Sequence, residues 1–143
     1  MDIALGMNFV DVICDNSLRN VYVNSKKIGY QFDIRLSYCR GQFLSVFEKF
    51  EVYLDGERVQ DQDIKFSLRE QEYSLCQLPS CYTVFWPVLE PATIKVRKPG
   101  GLTPGEHKVE VKIIFRVPYM PIGPVHQYMK YDSSVEKQLP VIN

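Results

Sequence analysis

Histidine is nearly absent: His107 and His126 are the only two in 143 residues. They form no His-x-His pair and sit in no carboxylate cluster, so the ligand spacing of a metal site is missing. The four cysteines, Cys14, Cys39, Cys76 and Cys81, contain no Cys-x-x-Cys pair, which argues against zinc in the same way. Cys76 and Cys81 are near enough in sequence to approach each other, but incidental reduced thiols are the expectation. No Gly-x-Ser-x-Gly elbow is present. An excess of either charge is also lacking, since 17 basic residues balance 17 acidic ones. That balance argues against a broad nucleic-acid binder, where a basic stripe is expected, and removes one barrier to association with another protein. Met1-Asp2-Ile3-Ala4 has no basic start, and no apolar run is long enough for a signal or a span. The expected address is therefore the cytoplasm, away from membranes. No repeat or low-complexity segment appears.

What the chain does have is alternation. Val109, Val111, Ile113, Phe115 and Val117 alternate with Lys108, Glu110, Lys112 and Arg116, and Ile114 alone breaks the polar set. A period of two puts one set on a core face and the other towards water. Ile94 and Val96 alternate in the same way with Lys95 and Arg97. Pro99, Gly100, Gly101, Pro104 and Gly105 lie between these two strands and supply the fixed and positive φ values of a chain reversal. The pair reads as an antiparallel hairpin. A phosphate-cradling loop fails here because no helix and no Lys-Ser/Thr pair follow the glycines.

A second clear strand places Ile28, Tyr30, Phe32, Ile34 and Leu36 on the core face, opposite Gly29, Gln31, Asp33, Arg35 and Ser37. Further strands are expected at 18–23, 50–54, 64–68, 72–75 and 82–86, with a first one at 9–14. Asp55-Gly56 marks a tight hairpin. Asp15-Asn16-Ser17 reads as a turn, and so does Cys76-Gln77-Leu78-Pro79. About eight short strands at roughly ten-residue spacing, with no helix pattern, predict an all-β fold. The expected form is one antiparallel β-sandwich or jelly-roll domain over residues 1–121, with 1–16 an uncertain N-terminal segment. Beyond Pro118 the pattern stops, and 122–143 reads as an irregular C-terminal arm or tail.

No catalytic residue emerges. His107 follows Gly-Glu at a strand start, where a surface or turn histidine is the usual case. Asp55, Asp61 and Asp63 belong to turn chemistry. Arg40, beside Tyr38 and Gly41, suits a partner or anion contact, because guanidinium makes forked hydrogen bonds. By itself the chain reads as a binding or assembly module.

Several segments, in their order and spacing across 17–121, resemble the small (beta) subunit family of bacterial C-glycoside deglycosidases. They are Ser17-Leu18-Arg19-Asn20-Val21, the run from Gly29-Tyr30-Gln31-Phe32 through Ser37-Tyr38-Cys39-Arg40-Gly41, and Val52-Tyr53-Leu54-Asp55-Gly56-Glu57. The run ending in Lys98-Pro99-Gly100-Gly101-Leu102 follows, then Gly105-Glu106-His107-Lys108 and Pro118-Tyr119-Met120-Pro121. The family often has a second tyrosine where this chain has Cys39. The resemblance implies a larger, TIM-barrel-like alpha subunit that binds a divalent metal, manganese, and carries a histidine base. Together the two would form a hetero-oligomer that cleaves the carbon–carbon bond of 3-oxo-C-glycosides of flavonoid type. This chain would hold no cofactor, no metal and no catalytic group. It would stabilise the large subunit and line part of the aglycone pocket. Tyr38, Arg40, Gly41, Tyr119, Met120, Pro121, His126 and Tyr128 are the residues expected at that interface, since tyrosine and arginine are frequent anchors.

Two other readings compete. A free-standing carbohydrate-binding or adhesion-type β-sandwich is usually secreted, and the missing signal and scattered acids count against it. A stand-alone cupin-like metal enzyme needs a histidine cluster that this chain lacks.

Overall fold

The alternating segments build two sheets packed face to face. The computed structural model describes residues 4–5, 10–121 and 128–142, with the backbone alone described at 4–5 and 118–121. The strands in chain order are β1 (Ala4–Leu5), β2 (Arg19–Val23), β3 (Lys26–Ile34), β4 (Gln42–Phe43), β5 (Phe47–Leu54), β6 (Glu57–Arg58) and β7 (Ile64–Leu68). They continue with β8 (Gln71–Ser74), β9 (Phe85–Trp86), β10 (Ala92–Arg97), β11 (Glu106–Pro121), β12 (Tyr128–Asp132) and β13 (Val135–Pro140). One sheet runs β1-β12-β11-β5-β6, with β13 also on β11, and the other runs β2-β3-β10-β7-β8. A two-stranded ribbon, β4–β9, stands apart from both. Three short 3-10 turns interrupt the strands, and the one at Leu75–Ser80 takes in the expected turn at Cys76 to Pro79. No helix among the described residues is long and apolar enough to cross a membrane. All four cysteines are free thiols.

Much of the local reading is realised. Val109, Val111, Ile113, Phe115 and Val117 are all buried. The Asp55-Gly56 hairpin joins β5 to β6, with φ of 50° and 87° at its two central residues. Both positive values match the type of two-residue turn that suits strand twist. Asn24 and Ser25, at φ 51° and 65°, make the same kind of turn between β2 and β3.

The hairpin expected around Pro99 to Gly105 is not one. β10 pairs with β3 on one side and β7 on the other, whereas β11 pairs with β5, β12 and β13 in the opposite sheet. The loop is a crossover between the sheets. Turn residues specify that the chain reverses, and long-range pairing chooses its neighbours. Asn20 pins this loop, donating from Nδ2 to Leu102 O at 3.1 Å and accepting from Leu102 N–H at 2.7 Å.

The expected irregular tail is also corrected. β13 and β12 lie one after the other along the edge of β11 opposite β5, at 106–111 and 114–121. A free edge on a 16-residue strand is a row of unpaired backbone groups. Pairing satisfies that edge without an apolar period in the added strands, which is why their sequence looks patternless. The expected first strand at 9–14 reduces, among the described residues, to a single bridge between Ile13 and Ile34.

The third correction concerns Ile28. β2 and β3 pair Val21 with Gly29 and then Tyr22 with Lys27, so Ile28 is an extra residue in β3. This bulge turns Ile28 out of the core, where alternation had placed it, and leaves it 42% exposed. Tyr30, Phe32 and Ile34 keep their buried positions.

A relay of rings fills the space between the sheets. Phe66 of β7 meets Phe50 at 5.8 Å and Trp86 at 5.2 Å, and Trp86 meets Phe47 at 5.9 Å. Phe47 continues to Phe115 at 5.5 Å, which stacks on Tyr131 at 5.2 Å. Ring pairs at these distances add about 0.5–1.5 kcal/mol each beyond simple burial. Much of the aromatic content of the sequence therefore lies in the core.

Candidate partner-docking surface

Some aromatic side chains stay outside. Phe43 of β4 and Phe85 of β9 face each other across the ribbon, with ring centres 5.1 Å apart at 69°. Both are exposed, as are Tyr82, Val88 and Leu89 on the chain flanking β9. Scattered apolar residues on a surface are ordinary, but this group is concentrated on one ribbon and its adjoining turn.

The turn is held firmly. Trp86, buried behind the ribbon, donates its indole N–H to Glu90 O at 2.7 Å. Arg69 reaches over to pair with the Glu90 carboxylate and donates to Phe85 O at 2.7 Å. Leu89 sits between these anchors at φ +69° with 56% of its surface exposed. A leucine in the left-handed region costs roughly 1–2 kcal/mol relative to its preferred conformations. Beneath the patch, the Gln42 amide nitrogen is buried with no hydrogen-bond partner. Departures from the best folding choice gather where a surface does something else.

The residues expected at the interface fall in different places. Tyr38 is not a surface residue: its ring packs edge-on against Phe115 at 5.6 Å and Tyr131 at 4.9 Å, and it is 8% exposed. An aromatic with two ring neighbours gains more inside than at a rim. Its role is to pin the 38–41 loop onto the β11–β12 ladder. Cys39 and Arg40 are exposed. Gly41 lies under the ribbon, where a Cβ would overlap the Phe85 ring and come within 2.9 Å of Trp86 O. Tyr119, Met120 and Pro121 end β11, and Tyr128 opens β12 directly opposite Pro121. His126 lies outside the described residues. The fold thus brings the 38–41 loop to the ribbon through Gly41 and to the β11–β12 ladder through Tyr38.

Pattern reading does not single out Phe43, Tyr82, Phe85, Val88 or Leu89 as surface residues. The available signal was the apolar pair Val88-Leu89 inside a turn bounded by Pro87 and Pro91, where polar residues are usual.

His107 also differs from the expected surface histidine. It is buried, with Nδ1 2.7 Å from Asp55 Oδ2 and Nε2 2.8 Å from Thr103 O. Both ring nitrogens face acceptors, an arrangement that favours the doubly protonated ring. Burial works against that charge, but the hydrogen bonds to Asp55 and Thr103 outweigh it and raise the His107 pKa above its ordinary 6.5. Asp55 is lowered below 3.8: the His107 hydrogen bond lowers it most, burial opposes this, and the Lys108 N–H at 2.9 Å adds to the lowering. Nearby, burial and the Asp55 charge push the Tyr30 phenol up. The pair clamps the β5–β6 turn to the start of β11 and is structural.

This clamp makes a prediction. The stability that His107 contributes is complete below pH 6.5 and is lost as pH rises through its raised value. The part due to Asp55 is present above pH 3.8 and is lost as pH falls through its lowered value. Denaturant midpoints should therefore fall as pH rises from about 6 to 9, and Asp55→Asn should flatten that fall. An equal slope in both proteins would contradict a protonated His107.

Among the described residues, no group of three or more His, Cys, Asp or Glu side chains is placed to hold a metal ion.

The family model for the C-glycoside deglycosidase beta subunit matches residues 9–119. The chain belongs to this family. The family match takes in the β4–β9 ribbon, the 38–41 loop and most of β11, and stops before β12 and β13. A C-glycoside deglycosidase beta subunit from Eubacterium cellulosolvens is 32% identical over 111 residues, covering 77% of this chain and 76% of its own length. A 3'-dehydrocarminate deglycosidase beta subunit from a Microbacterium species is 33% identical over 96 residues, covering 66% and 71% respectively. A C-glycoside deglycosidase beta subunit from Arthrobacter globiformis is 25% identical over 112 residues, covering 78% and 84%.

Proposed function

We propose that this chain is the non-catalytic beta subunit of a C-glycoside deglycosidase complex, and that it docks on a larger catalytic subunit through the Phe43–Phe85 ribbon and the 38–41 loop. The observation that carries this reading is the exposed aromatic ribbon, with Leu89 held at positive φ beside it, in a chain whose relatives are named beta subunits. Aromatic anchors beside an exposed arginine, here Arg40, have the composition of a protein interface.

The partner on this reading is a TIM-barrel-like alpha subunit with a histidine base, and the pair acts as a carbon–carbon lyase on 3-oxo-C-glycosides of flavonoid type. Loss of the proton beside the keto group gives an enolate, and its electron pair then expels the aglycone carbon from the neighbouring ring carbon. The aglycone carbon takes up a proton, and an unsaturated anhydro-keto sugar remains. A divalent metal, manganese, on the partner would supply enolate stabilisation. This chain would hold the large subunit in its working form and close part of the aglycone pocket.

Co-expression with the large subunit, with the tag on this chain alone, tests the proposal. The expected result is a stoichiometric complex that cleaves a 3-oxo-C-glycoside with manganese, while this chain alone does nothing. A monomer that leaves the large subunit untagged and fully active in the flow-through would overturn it, and glycan binding would then be the function to assay.

A further inference from the structure

A groove of about 700 Å³ lies over the outer face of the β2-β3-β10-β7-β8 sheet, far along β3 from the docking loop. It falls inside the roughly 300–1,000 Å³ range of small-molecule sites. Its floor is apolar, formed by Val21, Ile28 and Pro99. Ile28 is there only because of the β3 bulge, a device that re-aims side chains beside binding sites. The Ile28 position and the cavity are separate observations, and both point to an apolar ligand.

The rim is unbalanced. Lys26, Lys27, Lys65, Lys95 and Arg97 face two carboxylates, Asp63 and Glu72. Lys95 pairs with Glu72 at 2.8 Å and Arg97 with Asp63 at 3.9 Å. Lys65 donates to the Ser74 hydroxyl at 2.9 Å. No ion pair to a carboxylate among the described residues engages Lys26, Lys27 or Lys65. In a protein of zero net charge, three uncompensated cations around one apolar floor are a local feature. They favour an anionic group on the ligand, attracted over several ångströms and desolvated little at an open rim.

We propose that this groove binds a small amphipathic anion: an apolar, ring-sized body lying on Val21 and Ile28, with a carboxylate or equivalent anion directed to Lys26 and Lys27.

The test uses the full chain, alone and in its co-purified complex, titrated by calorimetry with naphthoate and with the neutral naphthylmethanol. Saturable binding of naphthoate at one per chain, below about 1 mM, is expected, with the neutral compound about tenfold weaker. Ile28→Asp should abolish binding, and Lys26→Gln with Lys27→Gln should weaken it about tenfold, both with unchanged circular dichroism. Affinity should also fall with added salt. Equal binding of the neutral compound, or binding that survives Ile28→Asp, would overturn the proposal. Binding by the free chain that vanishes in the complex would mean that the partner covers the groove, and would overturn it too.

Discussion

Gly29→Ala is expected to lower the melting temperature by roughly 10 °C, and to leave much of the protein insoluble when expressed. A Cβ at Gly29 would overlap Val96 O and lie 3.1 Å from both Val96 C and Lys98 N. These are backbone atoms of β10 and its exit, so no rotamer change relieves the clash. β3 pairs with β10 from Ala92–Ile34 to Arg97–Gly29, at the centre of its sheet. Alanine must push these strands apart or slide their register, and either disturbs the buried row of Ile94, Val96, Tyr30 and Phe32. Overpacking of this kind costs about 1–3 kcal/mol, and lost ladder hydrogen bonds add to it. Gly100→Ala is the control, because Gly100 has φ +88° and no neighbour within 4 Å of a new Cβ. It should cost about 1 kcal/mol through backbone strain alone. If the two variants melted together, the close approach of β3 and β10 at the bulge would be wrong.

Leu89→Gly should move stability and assembly in opposite directions. Glycine accepts φ +69° without strain, and little burial is lost from a side chain that is 56% exposed. Its larger entropy in the unfolded chain offsets part of that gain. The net expectation is a stabilisation of about 0.5–1 kcal/mol, or roughly 2–4 °C in melting temperature. Assembly should suffer, because the variant removes an apolar side chain that the folded chain alone does not need. A tenfold or greater weakening of association with the large subunit, about 1.4 kcal/mol, is expected in a titrated pull-down. Such opposite signs separate a docking residue from a folding residue. A more stable variant that assembles normally would move the interface away from the turn, and a less stable one would contradict the left-handed geometry of Leu89.

The same contrast explains which of the named residues could be read from sequence. Tyr38 and Arg40 stand two residues apart in one loop, yet one is core and the other surface. Adjacent residues in an irregular loop have no period that assigns a face, so ring neighbours from β11 and β12, far along the chain, make the assignment. Ile28 fails for the opposite reason. Its period was clear, but one extra residue in a ladder reverses the face of everything on one side of it.

By itself the sequence determined the all-β class, the core faces of β3 beyond its bulge and of β11, and the Asp55-Gly56 reversal. Each of these follows from interactions within a few residues: alternation along one strand, or the φ values that a turn demands. The family could be read as well, because ordered motifs survive in the chain itself. Tertiary structure alone decided that β10 and β11 part into opposite sheets, that the patternless C-terminal segments become β12 and β13, and that His107 is clamped inside by Asp55. It also decided that Phe43 and Phe85 stay outside while Tyr38 goes in. Those outcomes depend on which distant strand offers an unpaired edge or a ring-sized space, and residues far apart in the chain settle them through contacts such as His107 to Asp55, 52 positions apart, and Leu102 to Asn20, 82 apart.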